Sequence, residues 1–225
     1  MESAPPAALP SKRRDLFQLS VGYVLILAVI WSPRHWQRPL YILAVVFILA
    51  ATWVSFDGWS AMGLRRANFL RALWVPALAL ALAIPAVLIA IRLDTLHPVG
   101  GPMVYIRSFW GYTIWSFAQQ LLLLDFFLLR LLRILPSPRA AAVAAATIFA
   151  LAHLPNPILT SMTLIWGLVA CFVFLRYRNL YPLAIAHAIM GICLAITIPG
   201  PVIRNMRVGY GYLTYPRHHP HQPSH

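Results

Sequence analysis

From Ala72 to Ile91 the chain runs for twenty residues without a charged side chain, and six more apolar runs of similar character share its 225 residues. A run of about 20 apolar residues is what a helix needs to cross a bilayer. Seven such runs are too many for one soluble domain to cover in water. Composition agrees, because 60% of residues are hydrophobic and only 10% are charged, which places the chain among polytopic membrane proteins. In lipid each segment must satisfy its own backbone hydrogen bonds. The expected fold is therefore all-α, a polytopic transmembrane helix bundle of about seven spans, or eight.

The runs are Leu16 to Trp31, Leu40 to Phe56, Ala72 to Ile91 with Pro76 and Pro85 inside it, and a long stretch from Tyr105 that ends before Pro136. Three more follow: Ala140 to Leu154, Pro157 to Tyr177, and Leu180 to Ile198. Prolines within spans are tolerated where neighbours satisfy the freed carbonyls. Lys12, Arg13 and Arg14 before the first run resemble the start of a signal peptide, but no Ala-x-Ala cleavage pattern follows, so the run is read as a retained helix. The organisation expected is a disordered tail over 1–15, N-terminal transmembrane helices over 16–110, a helical core over 111–198 and a polar His-rich tail over 199–225. That tail carries His218, His219, His221 and His225. Trp31, Trp53, Trp59, Trp74 and Trp110 fall near segment ends, where interfacial anchors belong.

Eighteen basic residues stand against five acids, a formal net charge of +13. In a soluble chain that balance would suggest nucleic acid. Here the arginines flank apolar segments, so the bilayer and its phosphates are the expected partner and nucleic acid is not. With the N-terminus inside, eleven basic residues fall on the inner side and seven on the outer. A bacterial plasma membrane with a cytoplasmic N-terminus is the expected location. Cys171 and Cys193 lie within apolar runs and read as small core residues rather than a disulfide.

Ionisable groups are costly in a bilayer and mark sites. Two histidines, His153 and His187, lie in apolar segments, and Gln119 and Gln120 lie in a third. These positions are expected to wall one buried chamber; the plainer alternative is a pair of interhelix hydrogen bonds. Phe149 and His153 are four apart and share a helix face. His187 is surrounded by Ala184, Ala186 and Ala188 and lies one turn before Gly191, small residues that leave space for a ligand. Asp125 is the one acid inside the runs. At about 100° per residue it points roughly 240° from Gln119 and about 140° from Gln120, away from the chamber. A divalent metal held by His153, His187 and Asp125 would need ligands from three segments, with no spacing that supports it. No cofactor is expected on these grounds.

The order and spacing of these residues resemble the CPBP family, the CAAX-protease and bacteriocin-processing intramembrane endopeptidases that include the type II CAAX prenyl proteases. The resemblance covers about Trp115 to Ile198. The family carries Glu-Glu-x-x-x-Arg, Phe-x-x-x-His and His-x-x-x-Asn on successive helices. Phe149-Ala-Leu-Ala-His153 fits the second motif fully, and Tyr177 to Ala188 looks like the approach to the third. The glutamate pair falls on Gln119-Gln120, the motif arginine on Leu124 and the final asparagine on Gly191.

By resemblance, Gln119, Gln120, His153 and His187 occupy catalytic positions, and the substrate is a membrane-bound or prenylated peptide. In the family the first glutamate and first histidine are thought to activate a water, while the last histidine and the asparagine stabilise the oxyanion; a metal-dependent account also exists. A glutamine offers a neutral acceptor and donors but almost no basicity, so Gln119 can position a water without activating it. Neutral imidazole is competent as a base near neutral pH, which leaves His153. Three functions follow: an intramembrane endopeptidase with an altered site, a pseudoprotease that binds membrane partners, and a small transporter. The last finds no inverted repeat to support it.

Overall fold

The computed structural model describes residues 12–96 and 102–215. Among them there is no strand, and seven long helical segments stand where the seven apolar runs do. The first is α1 (Lys12–Trp31), joined through Ser32 and Pro33 to α2 (Arg34–Val54). An irregular crossing leads to α3 (Trp74–Arg92), which carries Pro85 in its interior. Next come α4 (Pro102–Gln120), a π-helical stretch over Leu121–Leu128 and α5 (Leu129–Ile134), which run on as one continuous helix. Then come α6 (Pro138–Leu151), α7 (Pro157–Tyr177) and α8 (Tyr181–Thr197). Two short helices, α9 (Gly200–Ile203) and α10 (Gly209–Leu213), close the described chain.

Helix starts follow local chemistry. Ser137 caps α6 by accepting from the Ala140 backbone N–H at 3.2 Å, with Pro138 at the first helical position, and Asn156 with Pro157 does the same for α7. Both pairs satisfy an orphan donor and place a proline where its missing N–H costs nothing.

The surface is apolar where lipid would lie. Ile42, Val46 and Leu49 on α2 and Leu80, Leu82, Ile84 and Leu88 on α3 are all exposed, a patch far larger than soluble proteins tolerate. The interior uses small residues instead. Ala141, Ala142, Ala145 and Ala146 on α6 are fully buried, and a Cβ on Gly167 of α7 would lie 3.2 Å from the Ala146 backbone. Such close approach is how helices associate in lipid, where dispersion and fit replace the hydrophobic effect. By length and hydropathy α1, α2, α3 with its preceding turn, and α7 are each long enough to cross a membrane, and α6 and α8 are shorter apolar helices. The chain is an integral membrane protein.

Basic side chains gather at one end of the bundle. Arg133 meets Asp15 at 2.7 Å and Asp57 at 3.2 Å, and Arg65 donates to the carbonyls of Arg178 and Tyr177. The five expected tryptophan anchors are all exposed; Trp31, Trp53 and Trp74 stand at helix ends and Trp59 in the crossing after α2, whereas Trp110 lies inside α4.

Two expectations about the termini need correction. The N-terminal tail was expected to reach residue 15, but α1 begins at Lys12 because Asp15 is fully buried in its ion pair with Arg133 and draws the first turn into the bundle. The segment after 198 was expected to be a polar tail, yet through Tyr215 it is folded back on the bundle. Gly209 donates its N–H to the Leu154 carbonyl at 2.8 Å with φ +52°, and Ile30 of α1 occupies the place a side chain would take there. The four tail histidines and residues 1–11 lie outside the described residues.

Candidate functional site

His153 sits in the turn just past α6, where its own backbone N–H bonds the Ala150 carbonyl at 2.9 Å. Its Nδ1 lies 2.8 Å from the Phe149 carbonyl oxygen. A carbonyl only accepts, so Nδ1 carries the hydrogen and the neutral ring keeps its lone pair on Nε2. The Phe149 ring packs edge-on against it, centroids 5.0 Å apart. One residue therefore orients His153 twice, through its carbonyl and through its ring.

His187, in the middle of α8, is almost enclosed, with 7% of its surface exposed. Phe149 and Trp166 flank it at 6.4 and 5.8 Å between centroids. Its Nδ1 accepts from the Gln120 Nε2 amide at 2.8 Å, which leaves Nε2 as the protonated nitrogen of a neutral ring. Gln120 is fully buried, and its Oε1 has no partner among the described residues. The two imidazoles thus lie on either side of Phe149 and present opposite character: His153 Nε2 accepts and His187 Nε2 donates.

A cavity of about 480 Å³ lies beside them, within the size range of ligand pockets, and Gln119, His153 and Asp125 line it together. His187 and Gln120 stand behind that wall. The split follows from sequence neighbours pointing about 100° apart on a helix. Gln119 turns to the cavity, while Gln120 turns to α8. The four expected residues are thus brought to one region, two on the cavity and two in a buried pair beside it.

Asp125 corrects the sequence reading. It lines the cavity together with Gln119 and with Ala118, seven residues before it and on its own helix face; it is 4% exposed, with both carboxylate oxygens unpartnered among the described residues. Arg130 donates to its backbone carbonyl at 3.3 Å and not to its carboxylate.

Three residues went unnoticed in the sequence. Tyr112 of α4 lays its hydroxyl against Gly191, in the place a Cβ would take. It lies eight residues before Gln120 and so on the same face of α4, a periodicity that could have singled it out. Met206 and Val208 line the cavity, and nothing in their apolar character distinguishes them.

The stretch that carries all the polar residues of this region matches one family model, type II CAAX prenyl endopeptidase Rce1-like, over residues 104–193. Over this stretch the chain is similar to the Rce1-like endopeptidases. No curated protein and no solved structure matches the chain. The Rce1-like region comprises most of α4, the π stretch, α5, α6, α7 and most of α8, the helices that hold Gln119, Gln120, Phe149, His153 and His187. Leu124, where the family's motif arginine would fall, is fully buried in the core. Among the described residues no three of His, Cys, Asp and Glu gather as metal ligands.

Proposed function

We propose that the protein is an intramembrane endopeptidase of the CAAX type that cleaves a membrane-bound peptide at an altered site, with His153 as proton acceptor. The observation that carries this reading is the orientation of His153: Nδ1 is tied to the Phe149 carbonyl, so a basic Nε2 is presented beside Gln119 on a ligand-sized cavity. Water held by the Gln119 amide would give its proton to His153 Nε2 as it attacks the scissile carbonyl. Losing a carboxylate base costs about 10²- to 10⁴-fold, so turnover is slow.

Access for a bilayer-embedded substrate is lateral. Leu49 on α2 and Trp115 on α4 line the cavity and are also exposed on the outer surface, so the cavity wall reaches lipid between these helices. Basic residues gathered at the N-terminal end of α1 support a cytoplasmic N-terminus, in a bacterial plasma membrane.

A second reading, a pseudoprotease that binds a membrane partner, is favoured by one observation. Among the described residues the groups bonded to the two histidines are a carbonyl and an amide, not a carboxylate. Cleavage of prenylated and unmodified membrane peptides by wild type, His153→Ala and Gln119→Glu separates the two. Turnover that disappears in His153→Ala supports the endopeptidase, and Gln119→Glu should raise it by about 10²-fold or more. Silence in wild type with activity in Gln119→Glu would establish the pseudoprotease. Cleavage unchanged in His153→Ala would reject the site.

A further inference from the structure

Asp125 is a buried ionisable group with no hydrogen-bond partner among the described residues to account for it. Its carboxylate is 4% exposed, and neither oxygen accepts a hydrogen bond among the described residues. Burying an ionised carboxylate is expensive unless a counter-charge or a proton meets it. The two cations whose charge reaches it are Arg130 and Arg178, and both are committed elsewhere. Arg130 spends its guanidinium on Gln18 Oε1 and on the carbonyls of Ala51, Asp125 and Phe126. Arg178 donates to the Ala61 carbonyl and stacks over Phe174.

Asp125 lines the cavity together with Tyr23, Leu122, Phe126 and Phe127, and it also borders a small pocket with Asp57, Arg130 and Arg133. One acid at the end of an apolar passage is a poor cage for a metal ion, which needs several oxygen ligands. It is a good receptor for a cation on an alkyl stem, because lysine and arginine lay methylenes along apolar surface while the charged head seeks a partner. Aromatic rings beside the acid add cation–π attraction. Along the helix Asp125 is six residues past Gln119, up to about 9 Å at ~1.5 Å per residue. That separates it from Gln119 by about the span of two to three extended residues.

We infer that Asp125 is a specificity subsite of the chamber, which takes a lysine or arginine side chain of the bound peptide a few residues from the bond presented to His153. The inference rests on reading the chamber as a peptide site, but not on turnover. Asp125 becomes paired only when the peptide is present, which explains an otherwise unpartnered buried acid.

Binding tests it without requiring cleavage. The full chain in lipid nanodiscs is titrated with a fluorescent single-span peptide that carries either lysine or the uncharged isostere norleucine at one position, scanned through the cavity-facing segment. At one position the lysine peptide should bind wild type at least tenfold more tightly, and Asp125→Asn should abolish that difference while leaving the norleucine affinity unchanged. A lysine preference that persists in Asp125→Asn overturns the subsite, and so does equal binding of both peptides to wild type at every position. If sodium alone stabilises wild type and not Asp125→Asn, with no lysine preference, the acid binds a small cation and the inference fails. A catalytically silent protein that still shows the preference retains the subsite and loses only the endopeptidase reading; cleavage without the preference does the reverse.

Discussion

Gly191 shows how one position shapes the residues around it. Where the family carries an asparagine this chain has no side chain, and the Tyr112 hydroxyl occupies the vacated space. Restoring the asparagine alone should therefore fail. Gly191→Asn is expected to cost about 1–3 kcal/mol by overpacking, read as a lower unfolding midpoint in detergent, and Tyr112→Ala in the same chain should recover most of it. Additive losses in the double variant would show that the two positions do not share that space. The same rule of reciprocal fit governs Gln120, whose amide and the His187 ring each leave the other one geometry. Phe149 and His153 were legible as a pair because four residues make one helical turn. Tyr112 was not, because its role depends on a glycine 79 positions away.

At the scale of elements the π stretch is decisive. Each helix was legible from its apolar run, but the run Leu-Leu-Leu-Leu-Asp-Phe-Phe-Leu over 121–128 carries no mark of an i to i+5 pattern. Asp125 was misplaced because the cavity wall takes in more of this helix than the face of Gln119 alone. What holds the widened turns is Arg130, 1% exposed, which donates to the carbonyls of Asp125 and Phe126 and reaches Ala51 and Gln18 on neighbouring helices. Its guanidinium also lies over the Phe126 ring, 4.4 Å from the centroid. Arg130→Met keeps the volume and removes the donors, leaving several buried acceptors unpaired. A loss of about 3 kcal/mol is expected, measured by reversible unfolding in mixed micelles. A loss under about 0.5 kcal/mol would mean that the π stretch holds without it.

For the whole molecule, the chamber depends on the chain closing on itself. Asn156, fully buried, caps α7 and also donates to the carbonyls of Ile203 and Arg207 at 2.9 and 3.2 Å, which ties the C-terminal segment to the turn that carries His153. Asn156→Ala should cost about 2 kcal/mol and speed proteolysis between Pro199 and Tyr215; a cleavage rate equal to wild type would show that the segment is held some other way. The sequence by itself determined what depends on local length and composition: the membrane class, the seven helices, the histidine pair and the likeness to CAAX proteases. A helix in lipid must satisfy its backbone alone, so its existence is written in its own residues. The tertiary structure decided what depends on distant partners. It turned Gln119 to the cavity and Gln120 to His187, made the cavity wide enough to take in Asp125 as well as Gln119, and built a chamber wall from the segment after Ile198. Those outcomes rest on hydrogen bonds and close contacts between residues far apart in the chain, which no local pattern encodes.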